Sequence, residues 1–137
     1  MPPITIPDES AMRSLGARLA QRLKAGDVVL LHGDLGAGKT TLVRGLVESI
    51  GFDGPVRSPT FNLVQTFPTE PPVMHADLYR VESYEGIGLE DYLDTHVCFI
   101  EWPDRAEGLI SPFQCWQVRI DFAGDGRLVT VLEPETK

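Results

Sequence analysis

The chain has 137 residues, close to the commonest size of a single domain, and its 42% hydrophobic and 23% charged residues are those of an ordinary globular protein. No apolar run is long enough to span a bilayer, the N-terminus MPPITIPDES lacks the basic stretch and apolar core of a secretory signal, and Cys98 and Cys115 make no disulfide framework, so one cytoplasmic domain over 1–137 is expected. A formal charge of −8 repels phosphates, which argues against an independent grip on RNA or DNA and leaves nucleic-acid contact to a larger complex.

Residues 9–24 read as an amphipathic helix with Met12, Leu15, Leu19 and Leu23 on one face. Asp8 or Ser10 can cap its start, Gly26 follows its end, and Arg13, Arg18, Arg22 and Lys24 form its solvated side. The run DVVLLH at 27–32 is a buried strand. A glycine-rich turn follows, then a second helix over 39–50, stopped by Gly51. Residues 53–60 carry Gly54, Pro55 and Pro59 and read as loop. Strands are expected at 61–67 and 73–78, joined by a proline-rich turn over 68–72. Residues 83–93 read as helix despite Gly86 and Gly88, and 97–101 as a buried strand with Cys98 a reduced core thiol. Residues 117–122 and 128–132 flank Gly124-Asp125-Gly126 as a terminal hairpin. Alternating strands and helices imply an α/β three-layer sandwich around a mixed, largely parallel central sheet.

Gly33-Asp34-Leu35-Gly36-Ala37-Gly38-Lys39-Thr40 fits the phosphate-loop pattern G-x-x-x-x-G-K-[ST] at every fixed position. Glycines at 33, 36 and 38 let the backbone turn tightly and point successive N–H groups at phosphate oxygens. The helix beginning at Lys39 adds the positive end of its dipole, and Thr41 lies in its first turn. Lys39 reaches the β- and γ-phosphates, and the Thr40 hydroxyl is a ligand for magnesium, which prefers oxygen. Such a match arises by chance in roughly one chain of this size in a few hundred. A buried strand before it and a helix after it tighten that further. The expected ligands are a nucleoside triphosphate and Mg2+.

Phosphoryl transfer also needs acids to hold the metal or its water. Glu101 follows Val97-Cys98-Phe99-Ile100, and Asp77 follows Val73–Ala76 in the same style. Strand C-termini of α/β sheets converge on the ligand, so both are candidates, with their roles interchangeable on residues alone. Thr60, in Ser58-Pro59-Thr60, occupies a loop where nucleotide switches sense the γ-phosphate. Trp102 faces either nucleotide or partner, or else packs as a half-buried indole. Arg44, Arg57, Arg80 and Arg105 are candidate transition-state cations, with Arg80 best placed beyond Asp77. His32, His75 and His96 lack metal-ligand spacing and read as structural.

Several segments together resemble one family: GDLGAGKTTLVRGL at 33–46, SPTF at 58–61, HADLYR at 75–80, GLEDYL at 88–93 and IEWPDR at 100–105. In this order they are similar to the bacterial TsaE (YjeE) family, the small ATPase of the machinery that installs threonylcarbamoyl on tRNA adenosine. The resemblance covers roughly residues 10–122. It implies ATP rather than GTP, weak turnover alone, and action on a complex of TsaD and TsaB, with tRNA met only through that complex. It implies phosphate and magnesium binding by Lys39 and Thr40, a metal-side role for Glu101 and a catalytic or switch role for Asp77. Thr60 and Trp102 match family positions near the nucleotide and the partner surface. Ala76 departs from the bulky aromatic often found in relatives.

The competing reading is a small-molecule kinase, which shares loop and fold but needs an acceptor pocket and an arginine-bearing lid; residues 109–117 contain no arginine. A non-catalytic nucleotide-gated module would bind without turnover. A GTPase is disfavoured by the lack of a guanine-reading Asn/Thr-Lys-x-Asp stretch.

Overall fold

The computed structural model describes residues 2–57 and 63–135. Its strands are β1 (Ile4–Ile6), β2 (Val28–His32), β3 (Val64–Phe67), β4 (Val73–Asp77), β5 (Val97–Glu101), β6 (Trp116–Ala123) and β7 (Gly126–Leu132); its helices are α1 (Glu9–Ala20) and α2 (Lys39–Ser49). The strands form one sheet in the order β1-β7-β6-β2-β5-β4-β3. The four central strands, β6, β2, β5 and β4, run parallel, while β1, β7 and β3 are added antiparallel at the two edges. The sandwich with a mixed sheet and a parallel centre is therefore as the chain order implied.

The apolar runs are buried on both sheet faces, and their alternation sorts them. Val29, Leu31, Val97, Phe99, Val118 and Ile120 pack with Leu15, Leu19, Leu42 and Leu46 of the two helices. Val28, Leu30, Met74, Ala76, Cys98 and Ile100 point the other way, against Leu78, Leu89 and Ala106 from loops and short 3-10 turns. Both α-helices thus cover one face. Ala76 is fully buried among the second set, where its methyl fills the space beside the 78–110 loops.

Asp8 caps α1 by accepting the Ala11 N–H at 2.8 Å. The helix ends at Ala20, short of the expected 24, and the chain continues through turns while Leu23 stays buried. The two helices cross at glycines: a Cβ on Gly16 would lie 2.2 Å from the Leu42 carbonyl oxygen, and one on Gly45 would lie 2.2 Å from that of Arg13. The backbones touch there, which no larger residue allows.

Residues 83–93 do not form the expected α-helix. Only Leu89–Tyr92 winds, as a 3-10 turn, because Gly86 and Gly88 sit at φ +82° and +89°, outside the α region. Of the strand expected at 61–67, Val64–Phe67 is seen, residues 61 and 62 lying outside the described residues, and β1 lies outside every expected element; its three residues carry too little pattern to read, and pairing with β7 makes it a strand. The terminal hairpin is formed as expected.

Candidate phosphate-binding site

Loop 33–38 leaves the C-terminal end of β2 and enters α2. Gly36 and Gly38 adopt φ +81° and +114°, which side-chain-bearing residues avoid. A Cβ on Gly33 would meet the Ile120 carbonyl oxygen at 3.0 Å. The Gly38 cap of α2 offers no side-chain hydrogen bond, so the first-turn N–H groups of the helix are left to an external acceptor. Asp34, Leu35 and Gly36 form the exposed tip, and Leu35 is 67% exposed. Ala37 is buried, its N–H donating to the Asp34 carbonyl at 3.0 Å. Thr40 and Thr41 are half-buried at the start of α2.

The parallel register sets Asp77 beside Glu101 and Glu101 beside Leu31, at the ends of three adjacent strands. Alternation turns His75, Asp77 and Glu101 toward the helix-covered face, where α2 brings Lys39. Relative exposures of 7% for Lys39, 0% for His75, 4% for Asp77 and 4% for Glu101 make this the buried polar cluster of the described residues. Lys39 Nζ donates to the Gly33 carbonyl at 2.6 Å and lies 3.2 Å from Glu101 Oε1. His75 Nε2 donates to Glu101 Oε2 at 2.5 Å, so both carboxylate oxygens are engaged. Burial pushes the Glu101 carboxyl up, but the His75 hydrogen bond and charge and the Lys39 ammonium outweigh it and hold Glu101 below the usual carboxylate range. Asp77 Oδ1 accepts the Tyr79 N–H at 3.0 Å, closing the turn that follows β4.

Trp102 sits immediately beyond Glu101 at φ +60°, ψ +58°, a left-handed conformation rare for a bulky residue. It is half-buried, stacked on Tyr79 at 4.8 Å between centroids, with the Lys39 ammonium 5.8 Å and the Arg105 guanidinium 5.5 Å from its ring. Its Nε1 is buried without a hydrogen-bond partner among the described residues. The stacking and the two cations hold this strained residue against the lysine.

The candidate cations divide. Arg105 donates to the carbonyls of Leu78, Tyr79 and Val81, and Arg44 donates to that of Val56 at 3.1 Å; both brace loops. Arg80 is exposed on the turn after β4. Thr60, with Ser58, Pro59 and Phe61, lies outside the described residues. His32 bonds Gln117 and His96 bonds Thr95, whereas His75 bonds Glu101 within the cluster. The strand period is the signal for His75, since it lies two residues before Asp77 and so shares its face. From the opposite side Arg127 of β7 reaches the loop, donating to the Ala37 and Gly36 carbonyls. Nothing local in the sequence marks it.

The family model described as "Threonylcarbamoyl adenosine biosynthesis protein TsaE" matches residues 6–129. The chain belongs to the TsaE family. Among curated TsaE proteins, that of Streptomyces coelicolor is 47% identical, the match covering 88% of each chain. That of Haemophilus influenzae is 39% identical over 93% of this chain and 86% of its own. The crystal structure of YdiB from Bacillus subtilis superposes with a TM-score of 0.83 at 30% identity, covering 96% of this chain and 84% of that one. Membership assigns the chain to tRNA threonylcarbamoyladenosine biosynthesis and makes it a P-loop nucleotide-binding protein. Among the described residues no helix is long and apolar enough to cross a membrane.

Proposed function

We propose that this TsaE protein is a magnesium-dependent ATPase acting on a complex of TsaB and TsaD. The observation that carries the reading is Lys39, buried between the Gly33 carbonyl and Glu101 at the uncapped start of α2. A desolvated ammonium beside free helix N–H groups is a site for the polyanionic end of a nucleotide. A cleft of ≈ 260 Å³ between the loop and the start of α1, lined by Pro7, Met12, Gly38 and Thr41, offers room for the nucleoside.

The donor set fits magnesium. Thr40 offers a hydroxyl and Glu101 an ionised carboxylate, and a cation of this kind keeps waters and takes phosphate oxygens, so no all-protein cage is required. Magnesium supplies neutralisation of phosphate charge. Lys39 binds the β- and γ-phosphates, loop N–H groups orient them, and Asp77 is the acid available to orient or accept a proton from the attacking water. His75 holds Glu101 in place through Nε2. A net charge of −8 favours a partner protein over direct tRNA contact, so tRNA is met through the complex.

The test is steady-state phosphate release from ATP with magnesium, alone and with TsaD and TsaB, using Lys39→Ala as the blank. A slow rate that rises with the partners is expected. ATP binding with no stimulation by partners rejects the coupled-ATPase reading, and phosphate recovered on an acceptor other than water favours the kinase.

A further inference from the structure

Arg127 is paired with Phe122 of β6 on one side and Ile6 of β1 on the other, far in sequence from the glycine-rich loop. Its guanidinium lies 4.4 Å from the centre of the Phe122 ring. That packing aims the fork at the loop. Nε donates to the Ala37 carbonyl at 2.9 Å, Nη2 to the Gly36 carbonyl at 3.1 Å, and Nη1 to the Gly126 carbonyl at 2.8 Å. Among the described residues it makes no ion pair, so its charge and its planar donors are turned on backbone oxygens.

We propose that Arg127 is a positioning residue for phosphate binding: by holding the Gly36 and Ala37 carbonyls, it fixes the peptide planes of the loop and with them the direction of the Gly38 N–H that receives phosphate. In a planar trans peptide the carbonyl of one residue and the N–H of the next point in opposite directions. Pinning the Ala37 carbonyl toward β7 therefore turns the Gly38 N–H toward the opposite, helix-start side. Pinning the Gly36 carbonyl turns the Ala37 N–H to the Asp34 carbonyl, where it is found at 3.0 Å. Gly36 and Gly38, at φ +81° and +114°, are the freest residues of the loop and flank the pinned Ala37. Without the fork this stretch has more conformations to lose when an anion binds, and that ordering cost is taken from affinity. A lysine cannot replace it, because one ammonium lacks the flat pair of donors that spans two adjacent carbonyls.

The inference rests on the phosphate-loop reading, and its test separates the two. Calorimetric binding of MgADP and of inorganic pyrophosphate would be compared for the wild type, Arg127→Ala and Arg127→Lys, with thermal unfolding of each. Losing a charged donor pair should weaken ADP and pyrophosphate alike by about tenfold, with little recovery in the lysine variant and a larger unfavourable entropy. Added guanidinium ion at millimolar concentration should restore part of the loss in Arg127→Ala.

A loss for ADP but not for pyrophosphate would mean that Arg127 touches the nucleoside, and would overturn the positioning role. Unchanged affinities with a lowered Tm would reduce it to a hairpin brace and overturn it equally. If Arg127→Ala fails to fold, the lysine variant decides between weakened and unchanged affinity. A wild type that binds neither ligand removes the phosphate-loop reading itself, and the inference with it.

Discussion

The two faces of the sheet are built from the same strands and do different work. On the helix-covered face, β4 and β5 end in His75, Asp77 and Glu101, and α2 brings Lys39 into contact with them. On the other face the intervening residues are Met74, Ala76, Cys98 and Ile100, covered by loops and 3-10 turns. A single-residue slip of β5 would turn Cys98 and Ile100 to the helix-covered face and Glu101 away from it. The proposed chemistry belongs to one face because, among the described residues, only there does a helix start, with unfilled N–H groups, at the end of a central parallel strand. The opposite face closes the core and carries the 78–106 segment that braces Trp102.

The sharpest way to break this contrast is to remove the charge at the centre of the buried polar cluster. Lys39→Ala should lower ATP turnover by about 10²–10³-fold, with a milder loss of ADP binding, because a preorganised, desolvated cation acts most on charge developing in the transition state. An unchanged rate of phosphate release would end the assignment of chemistry to this face.

Gly45→Ala tests how closely α2 must approach α1 to hold the loop. Its methyl would lie 2.2 Å from the Arg13 carbonyl oxygen, so the helices must separate. A stability loss of about 3 kcal/mol or more is expected in urea unfolding, against the small gain that alanine brings to an exposed helix. A variant as stable as wild type would show that the crossing adjusts freely.

Glu101→Gln keeps the shape and removes the charge facing His75 and Lys39. Stability should fall by about 1–3 kcal/mol near neutral pH. Because the native Glu101 pKa is lowered, its charged form favours folding above the ordinary carboxylate pKa, and that contribution is lost as pH falls through the lowered native value. The gap between wild type and variant in urea midpoints should therefore close on acidification. The same variant should show weaker magnesium dependence of triphosphate binding; a magnesium titration matching wild type would pass the metal-side role to Asp77.

The smallest effect belongs to the other face. Burial pushes the Cys98 thiol up to about 12 and the Cys115 thiol up to about 11, so both stay protonated at neutral pH. Neither should react with a disulfide reagent at pH 8 in the native protein, and both should react once it is denatured. Rapid native labelling of Cys98 would mean that the loop cover opens easily, and would make the two faces even less alike in rigidity.

Much of this was legible in the residues. The spacing of glycines, Lys39 and Thr40, the apolar run before them and the acid-terminated runs at 73–77 and 97–101 are local patterns, set by backbone sterics and by the period of a strand. Strong local pattern also marked α1, α2 and the terminal hairpin. Where pattern was weak, the reading failed: 83–93 has helical composition, but its two glycines take positive φ. Three-residue β1 exists only through its pairing with β7.

What the sequence by itself determined is the set of chemical groups and the fold class that carries them, because both follow from short-range rules. Tertiary structure alone decided which groups meet. His75 joins Glu101 because β4 and β5 pair in one register; Gly16 and Gly45 are required because two helices cross there; Arg127 finds the 33–38 loop because a hairpin ninety residues away folds beside it. Such contacts depend on strand order, register and helix approach, which no local stretch of residues encodes.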